Sequence, residues 1–186
     1  MTFNKQKELI MKELQQVVNS IEEDEVTELV NLLCDARQVF VVGVGRVMLM
    51  LQAFVKRLNH IGIEANYVGA INEPAITKTD VLIVGSGSGE SIIPLSIAKV
   101  AMKYQPKIVH IGSNGNSSLL PYVDVFVRIP CQTKLHRKDE IKSKQLMSSL
   151  FEQSLLLLVD AIALEIVEKK QMKDLHKMWQ KHANLE

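Results

Sequence analysis

Three short apolar runs in this chain end in glycine and serine: VFVVGVGR at 39–46, VLIVGSGSGES at 81–91 and KIVHIGSN at 107–114. Short, mostly apolar runs without regular polar alternation mark a strand buried on both faces, the kind found in parallel sheets covered by helices. Two further runs belong with them, Ala65–Val68 and VDVFVRIP at 123–130, the latter halted by Pro130. Segments of helical period separate the strands. One runs from about Val47 to Ile61 with Gly62 at its C-terminal stop, one from about Ser91 to Lys103, and a short one lies near Ser117–Pro121. This alternation predicts an α/β fold: a doubly wound, five-stranded parallel sheet flanked by helices.

The ends of the chain read as helical. Ile10, Leu14, Val17 and Ile21 form one apolar stripe, and Val26, Leu29, Val30 and Leu33 another, which predicts two helices with a break near Asn19-Ser20. CQTKLHRKDEIKSK at 131–144 is polar and irregular and predicts an exposed loop. A long apolar helix is predicted from Gln145 to about Glu168, and a short charged one around Met172–Lys181. All 186 residues are read as one domain, with N-terminal helices over 1–36 and C-terminal helices over 145–186. The latter are expected to pack on the core and on a neighbouring subunit.

With 22 Lys and Arg against 21 Asp and Glu, the net charge of +1 gives no electrostatic basis for binding nucleic acid or an anionic membrane. The N-terminal MTFNKQKELIMKEL is charged and has no apolar core, so no signal peptide is expected. The uncharged run around Gln145–Val159 is broken by Glu152 and is too short to span a bilayer. Cys34 and Cys131 match no metal-ligand spacing and are read as two buried free thiols in a reducing compartment. These features predict a cytoplasmic protein.

In an open parallel sheet, ligands bind beyond the carboxyl ends of the strands where the strand order reverses. The loops GVGR, GSGSGES and GSNGNSS all leave strands at that edge. Glycine lets the backbone approach a ligand, and a helix N-terminus offers unpaired N–H groups to an anion. One such loop fits a tight turn with an N-cap equally well. Three on one edge point to an anion site. GVGRVM carries Met48 where a dinucleotide fingerprint needs its third glycine, and no Walker lysine follows either loop. The anion expected is a phosphate on a small substrate, held by Ser86, Ser88, Ser91 and the backbone at Gly87 and Gly89.

GSGSGES after an apolar strand, preceded by GVGR and followed by an SN loop, resembles the sugar isomerase (SIS) domain family, which implies a flavodoxin-like strand order. AFVKRLNHIG (53–62), VGAINEPAI (68–76), RIPCQTK (128–134), SLFEQSLLLLVDAIAL (149–164) and KHANLE (181–186) are similar to the 6-phospho-3-hexuloisomerase branch of that family. The resemblance implies a carbonyl shift between 3-hexulose 6-phosphate and fructose 6-phosphate through an enediol, within the ribulose monophosphate route of formaldehyde fixation. It implies no metal and no redox cofactor, a small phosphorylated sugar as ligand, and a homo-oligomer, dimer or tetramer. The alternatives are a non-catalytic phosphosugar-binding module or an isomerase of another aldose or ketose phosphate.

A carbonyl shift needs a base for the C2 proton and polar groups for the enediolate. Glu152 is the candidate base, a lone charge on an apolar helix: either it sits on an exposed polar stripe or it is held in a pocket. His60, in RLNHIG, is a candidate proton shuttle through the resemblance, contributed across a subunit boundary; otherwise it complements a helix C-terminus. Gly45 and Arg46 of the first loop and Ser113 of the third are candidate ligand contacts, with pairing to a nearby acid the alternative for Arg46. His110 reads as a core residue. Val47 and Met48 stand where the family usually has serine and glycine, which removes a hydroxyl donor from the first loop.

Overall fold

The computed structural model describes residues 2–185, so Met1 and Glu186, the last residue of the KHANLE tail, lie outside the described residues. Five parallel strands form one sheet: β1 (Val39–Val42), β2 (Ala65–Tyr67), β3 (Val81–Gly85), β4 (Lys107–Gly112) and β5 (Val125–Arg128), ordered β2-β1-β3-β4-β5. This is the expected flavodoxin-like order, and its reversal point lies between β1 and β3. The helices are α1 (Phe3–Val18), α2 (Glu23–Asp35), α3 (Gly45–His60), α4 (Ile92–Ala101) and α5 (Ser149–Lys169).

Strand pleating assigns alternate side chains to the two faces. Val39, Val41, Val81, Ile83, Val109 and Ile111 pack beneath α1, α2, α3 and α5. Phe40, Val42, Leu82, Val84 and Ile108 meet Ala98 and Ala101 of α4 and Leu119 on the opposite face. Each fully buried side chain of this size contributes about 1.5–3 kcal/mol of transfer free energy, so both layers anchor the sheet. Because α3 and α4 leave neighbouring strands to opposite faces, a crevice opens between their N-termini.

Four details differ from the sequence reading. α3 begins at Gly45 rather than near Val47. α5 begins at Ser149, not Gln145, because Met147 takes a φ of 54° that a helix cannot continue through. The closing segment is a 3₁₀ helix at Leu175–Lys181. Cys34 is only half-buried, while Cys131 is buried and its thiol is pushed up to about 12, chiefly by loss of solvation and then by Glu140. Among the described residues, no helix is long and apolar enough to cross a membrane.

The polar segment 131–144 is irregular, as its composition predicts, but it is only partly exposed. Cys131, Thr133 and Glu140 are buried. The Glu140 carboxylate accepts Thr133 N–H at 3.1 Å, Thr133 Oγ1–H at 2.6 Å and Arg137 N–H at 3.0 Å. A bridge between Cys131 and Ile141 closes its neck. Glu140 satisfies these donors within the segment, which folds back over the carboxyl edge of the sheet as a strap.

Candidate active site

A cavity of about 240 Å³ opens at the reversal point, lined by the first two glycine loops, the strap and the start of α5. Gly45, Arg46, Ser86, Gly87, Ser88, Ser91 and Glu152, all singled out from the sequence, lie in its wall. Val47 also lines it and presents a methyl surface where a hydroxyl would donate.

The serine loop is built as a tight turn. Gly89 N–H donates to Ser86 O at 3.1 Å and to Ser86 Oγ at 3.1 Å, Ser86 Oγ–H lies 3.3 Å from Ser91 Oγ, and Glu90 N–H reaches Ser88 Oγ at 3.3 Å. Gly89 has a φ of 66°, and a β-carbon there would sit 2.3 Å from Ser117 Cβ, so only glycine closes this turn. Its N–H is engaged within the turn, and Gly89 does not line the cavity. Leu95 N–H bonds to Ser91 O and closes the first turn of α4, which leaves the earlier N–H groups of that helix for a ligand. Pro94 has no N–H, but in this first turn there is no intrahelical acceptor for it to miss. Glu90 turns away and accepts Ser118 N–H at 2.8 Å, which, with the Ser118 hydroxyl, holds its carboxyl below the ordinary range.

Glu152 is not on an exposed stripe. It is buried in the first turn of α5, where the helix N-terminus suits a carboxylate, and Arg46 Nε meets its Oε2 at 2.6 Å. The pairing of Arg46 with a nearby acid is thus what the structure shows, with the guanidinium largely exposed and the carboxylate largely covered. Thr133 and Lys134 complete the wall from the strap. Sequence reasoning missed both because the strap reads as exposed; the one signal was RIPCQTK, a matching segment that ends on these two residues. Lys134 brings a cation to the cavity that holds the serine loop.

Two candidates stand apart. Ser113 is fully buried and its hydroxyl donates to Cys131 O at 2.7 Å, so its side chain does not face the cavity. His60 ends α3, and Gly45 begins it; sixteen residues at about 1.5 Å each make the helix about 24 Å long. It stacks on His182 with ring centroids 5.5 Å apart, and burial followed by Lys56 and Arg57 lowers its pKa. The chain's own fold does not bring His60 to Glu152.

His110, read as a core histidine, lies directly under the serine loop. It is fully buried on β4, and its Nε2 sits 2.9 Å from Ser86 O. Burial lowers its pKa to about 4 against 6.5 for a free imidazole, partly opposed by Ser86 and Glu90. The unfolded chain therefore binds a proton near pH 6.5 that the folded chain refuses until about pH 4. The corresponding stability is present above pH 6.5 and falls as pH drops through this window. Melting temperatures from pH 7 to 4 check this, with a shallower decline expected for His110→Leu.

The fold is that of a sugar isomerase (SIS) domain. No family model matches the chain. It is 36% identical over 177 residues to the 3-hexulose-6-phosphate isomerase of Bacillus subtilis (strain 168), covering 95% of each chain. The chain belongs to the 3-hexulose-6-phosphate isomerase family. A relative of the same name from Mycobacterium gastri is 31% identical over 178 residues, covering 96% of this chain and 88% of that one. The fold matches that of a Methanococcus jannaschii protein for which 3-hexulose-6-phosphate isomerase function was inferred, with a TM-score of 0.83, 24% identity and coverage of 98% and 99%. Relatives named as isomerases over nearly their whole length favour an enzyme over a binding module.

Proposed function

We propose that this chain interconverts 3-hexulose 6-phosphate and fructose 6-phosphate, with Glu152 as the base. The observation that carries the proposal is a buried carboxylate, oriented by Arg46 at 2.6 Å, in the same cavity as the serine loop and the start of α4. In this reading the serine loop and Lys134 hold the phosphate and so place the sugar backbone against α5. Glu152 removes the proton from C2, the electron pair forms the 2,3-enediolate, and the same carboxyl returns the proton to C3 while a hydroxyl proton passes from O2 to O3. Arg46 engages Oε2, leaving Oε1 to face the substrate carbon, and its remaining N–H groups are placed to stabilise the enediolate oxygens.

His60 takes part only in the cavity of a second copy of the chain. Support for a homo-oligomer, dimer or tetramer, comes from large apolar side chains left exposed on α4 and α5, among them Ile92, Ile93, Leu157 and Leu164. The free thiols fit a reducing cytoplasm, and the reaction fits a role in the ribulose monophosphate route. The test is formation of fructose 6-phosphate from 3-hexulose 6-phosphate in a coupled assay, run beside a panel of other aldose and ketose phosphates. Turnover of 3-hexulose 6-phosphate in preference to the panel is expected; its absence overturns the proposal.

A further inference from the structure

We infer that His110 is a positioning residue that aims the backbone N–H of Gly87 into the phosphate cavity. This rests on the reading of the serine loop as the phosphate site and concerns how that loop is held.

A peptide unit is planar and trans, so its C=O and the N–H of the next residue point in opposite directions. The Ser86–Gly87 peptide therefore directs Gly87 N–H away from whatever holds Ser86 O. Two donors hold that oxygen. Gly89 N–H comes from within the turn at 3.1 Å, and His110 Nε2 comes from the neighbouring strand at 2.9 Å. A carbonyl oxygen only accepts, so Nε2 carries the proton, and Nδ1, buried and without a hydrogen-bond partner among the described residues, does not. His110 lies on the α4 side of the sheet, in the even-numbered register of Ile108 and Val84. Gly87 N–H is thereby turned to the other side, where Arg46, Phe151 and Glu152 stand.

The chain makes specific room for this contact. A β-carbon on Gly112 would lie 2.3 Å from His110 Nε2 and 2.6 Å from Ser86 O, so the residue two places along β4 has no side chain to separate the ring from the carbonyl. Phe126 covers the ring, with centroids 5.0 Å apart. The next peptide is held in the same way. Gly87 O accepts Ser113 N–H at 2.9 Å and Asn114 N–H at 3.2 Å from the loop after β4, which directs Ser88 N–H away from β4 and toward the Arg46 loop. Ser113, expected to touch the ligand, serves the site through its backbone instead. β4 and the loop after it thus form a bracket that presents two adjacent N–H groups to one anion, with the His110 side chain of β4 acting on the first of them and the loop on the second.

The experiment compares the wild-type chain with His110→Leu, which loses the donor, and His110→Gln, whose amide places a donor near the position of Nε2. His110→Phe, which fills the ring's volume, replaces His110→Leu if the latter does not fold. Fructose 6-phosphate and inorganic phosphate binding are measured by calorimetry, with KM and kcat from the coupled assay. Loss of the donor is expected to weaken both phosphate ligands and raise KM about tenfold with kcat within about twofold, and His110→Gln to recover most of the loss. The inference is overturned if the folded donor-free variant binds phosphate as wild type does, if kcat falls in place of a KM rise, or if His110→Gln is no better than His110→Leu. Failure of the wild-type chain to bind either ligand overturns the phosphate site itself, and this inference with it.

Discussion

Glu152→Gln is expected to lower kcat about 10³-fold, within the 10²–10⁴ that a positioned general base supplies. The amide keeps the shape of the carboxyl and retains an oxygen for Arg46, which now lies 2.6 Å from Oε2, but it has no affinity for a carbon-bound proton. Substrate binding is expected to survive, because the proposed phosphate contacts lie on the serine loop and strap rather than on α5. Calorimetry with fructose 6-phosphate is expected to give an affinity within about threefold of wild type, since the Glu152–phosphate interaction is not an attraction to lose. A second readout separates chemistry from binding. In heavy water the wild-type enzyme is expected to exchange the C3 proton of fructose 6-phosphate for deuterium through the enediol, and Glu152→Gln is expected not to. Full turnover or full exchange in Glu152→Gln would place the base elsewhere.

The second large effect is on stability. Phe151 is fully buried, and two of its ring atoms lie 3.5 Å from where a β-carbon on Gly87 would stand, so the ring packs beneath both α5 and the serine loop. Phe151→Ala is expected to cost about 3–5 kcal/mol, the usual result of removing a core aromatic whose neighbours cannot collapse into the space. For a chain of 186 residues that corresponds to a melting temperature lower by about 10 °C. Because the loop loses its floor, KM for the phosphosugar is expected to rise as well. Chemical denaturation and the coupled assay, run below the new melting temperature, check both effects; a KM equal to wild type would mean that the loop is held from β4 alone.

The strands and their glycine loops were legible because burial on both faces leaves a signal in consecutive residues. VLIV and KIVHI need no partner to be recognised, and the glycines that follow them mark where the backbone turns. Glu152 was legible for the opposite reason, as a charge that an apolar helix does not otherwise explain. What was hidden depends on pairs distant in sequence. The strap looks exposed because Thr133 and Glu140 are polar, and nothing local says that each satisfies the other. Without that knowledge Lys134 has no address. Ser113 carries the right chemistry in the right loop, yet its side chain is taken by Cys131 O, a contact set by how β5 leaves the sheet. Gln145–Ser148 suits a helix by composition, while the left-handed backbone at Met147 that delays α5 to Ser149 leaves no local signal. His110 was read as core, which it is by burial; its use of Ser86 O is visible only once β3 and β4 are in register.

The closed neck of the strap, where Cys131 and Ile141 pair and Gln132 N–H bonds to Ile141 O at 2.9 Å, bears on how the ligand arrives. A flap hinged on free ends would surrender conformational freedom each time it closed, and the complex would be weaker by that entropy. This one is knotted by its own carboxylate during folding, so Thr133 and Lys134 stand ready before any sugar arrives. Association should accordingly resemble a key entering a rigid lock, limited by diffusion and the exchange of water rather than by a slow rearrangement.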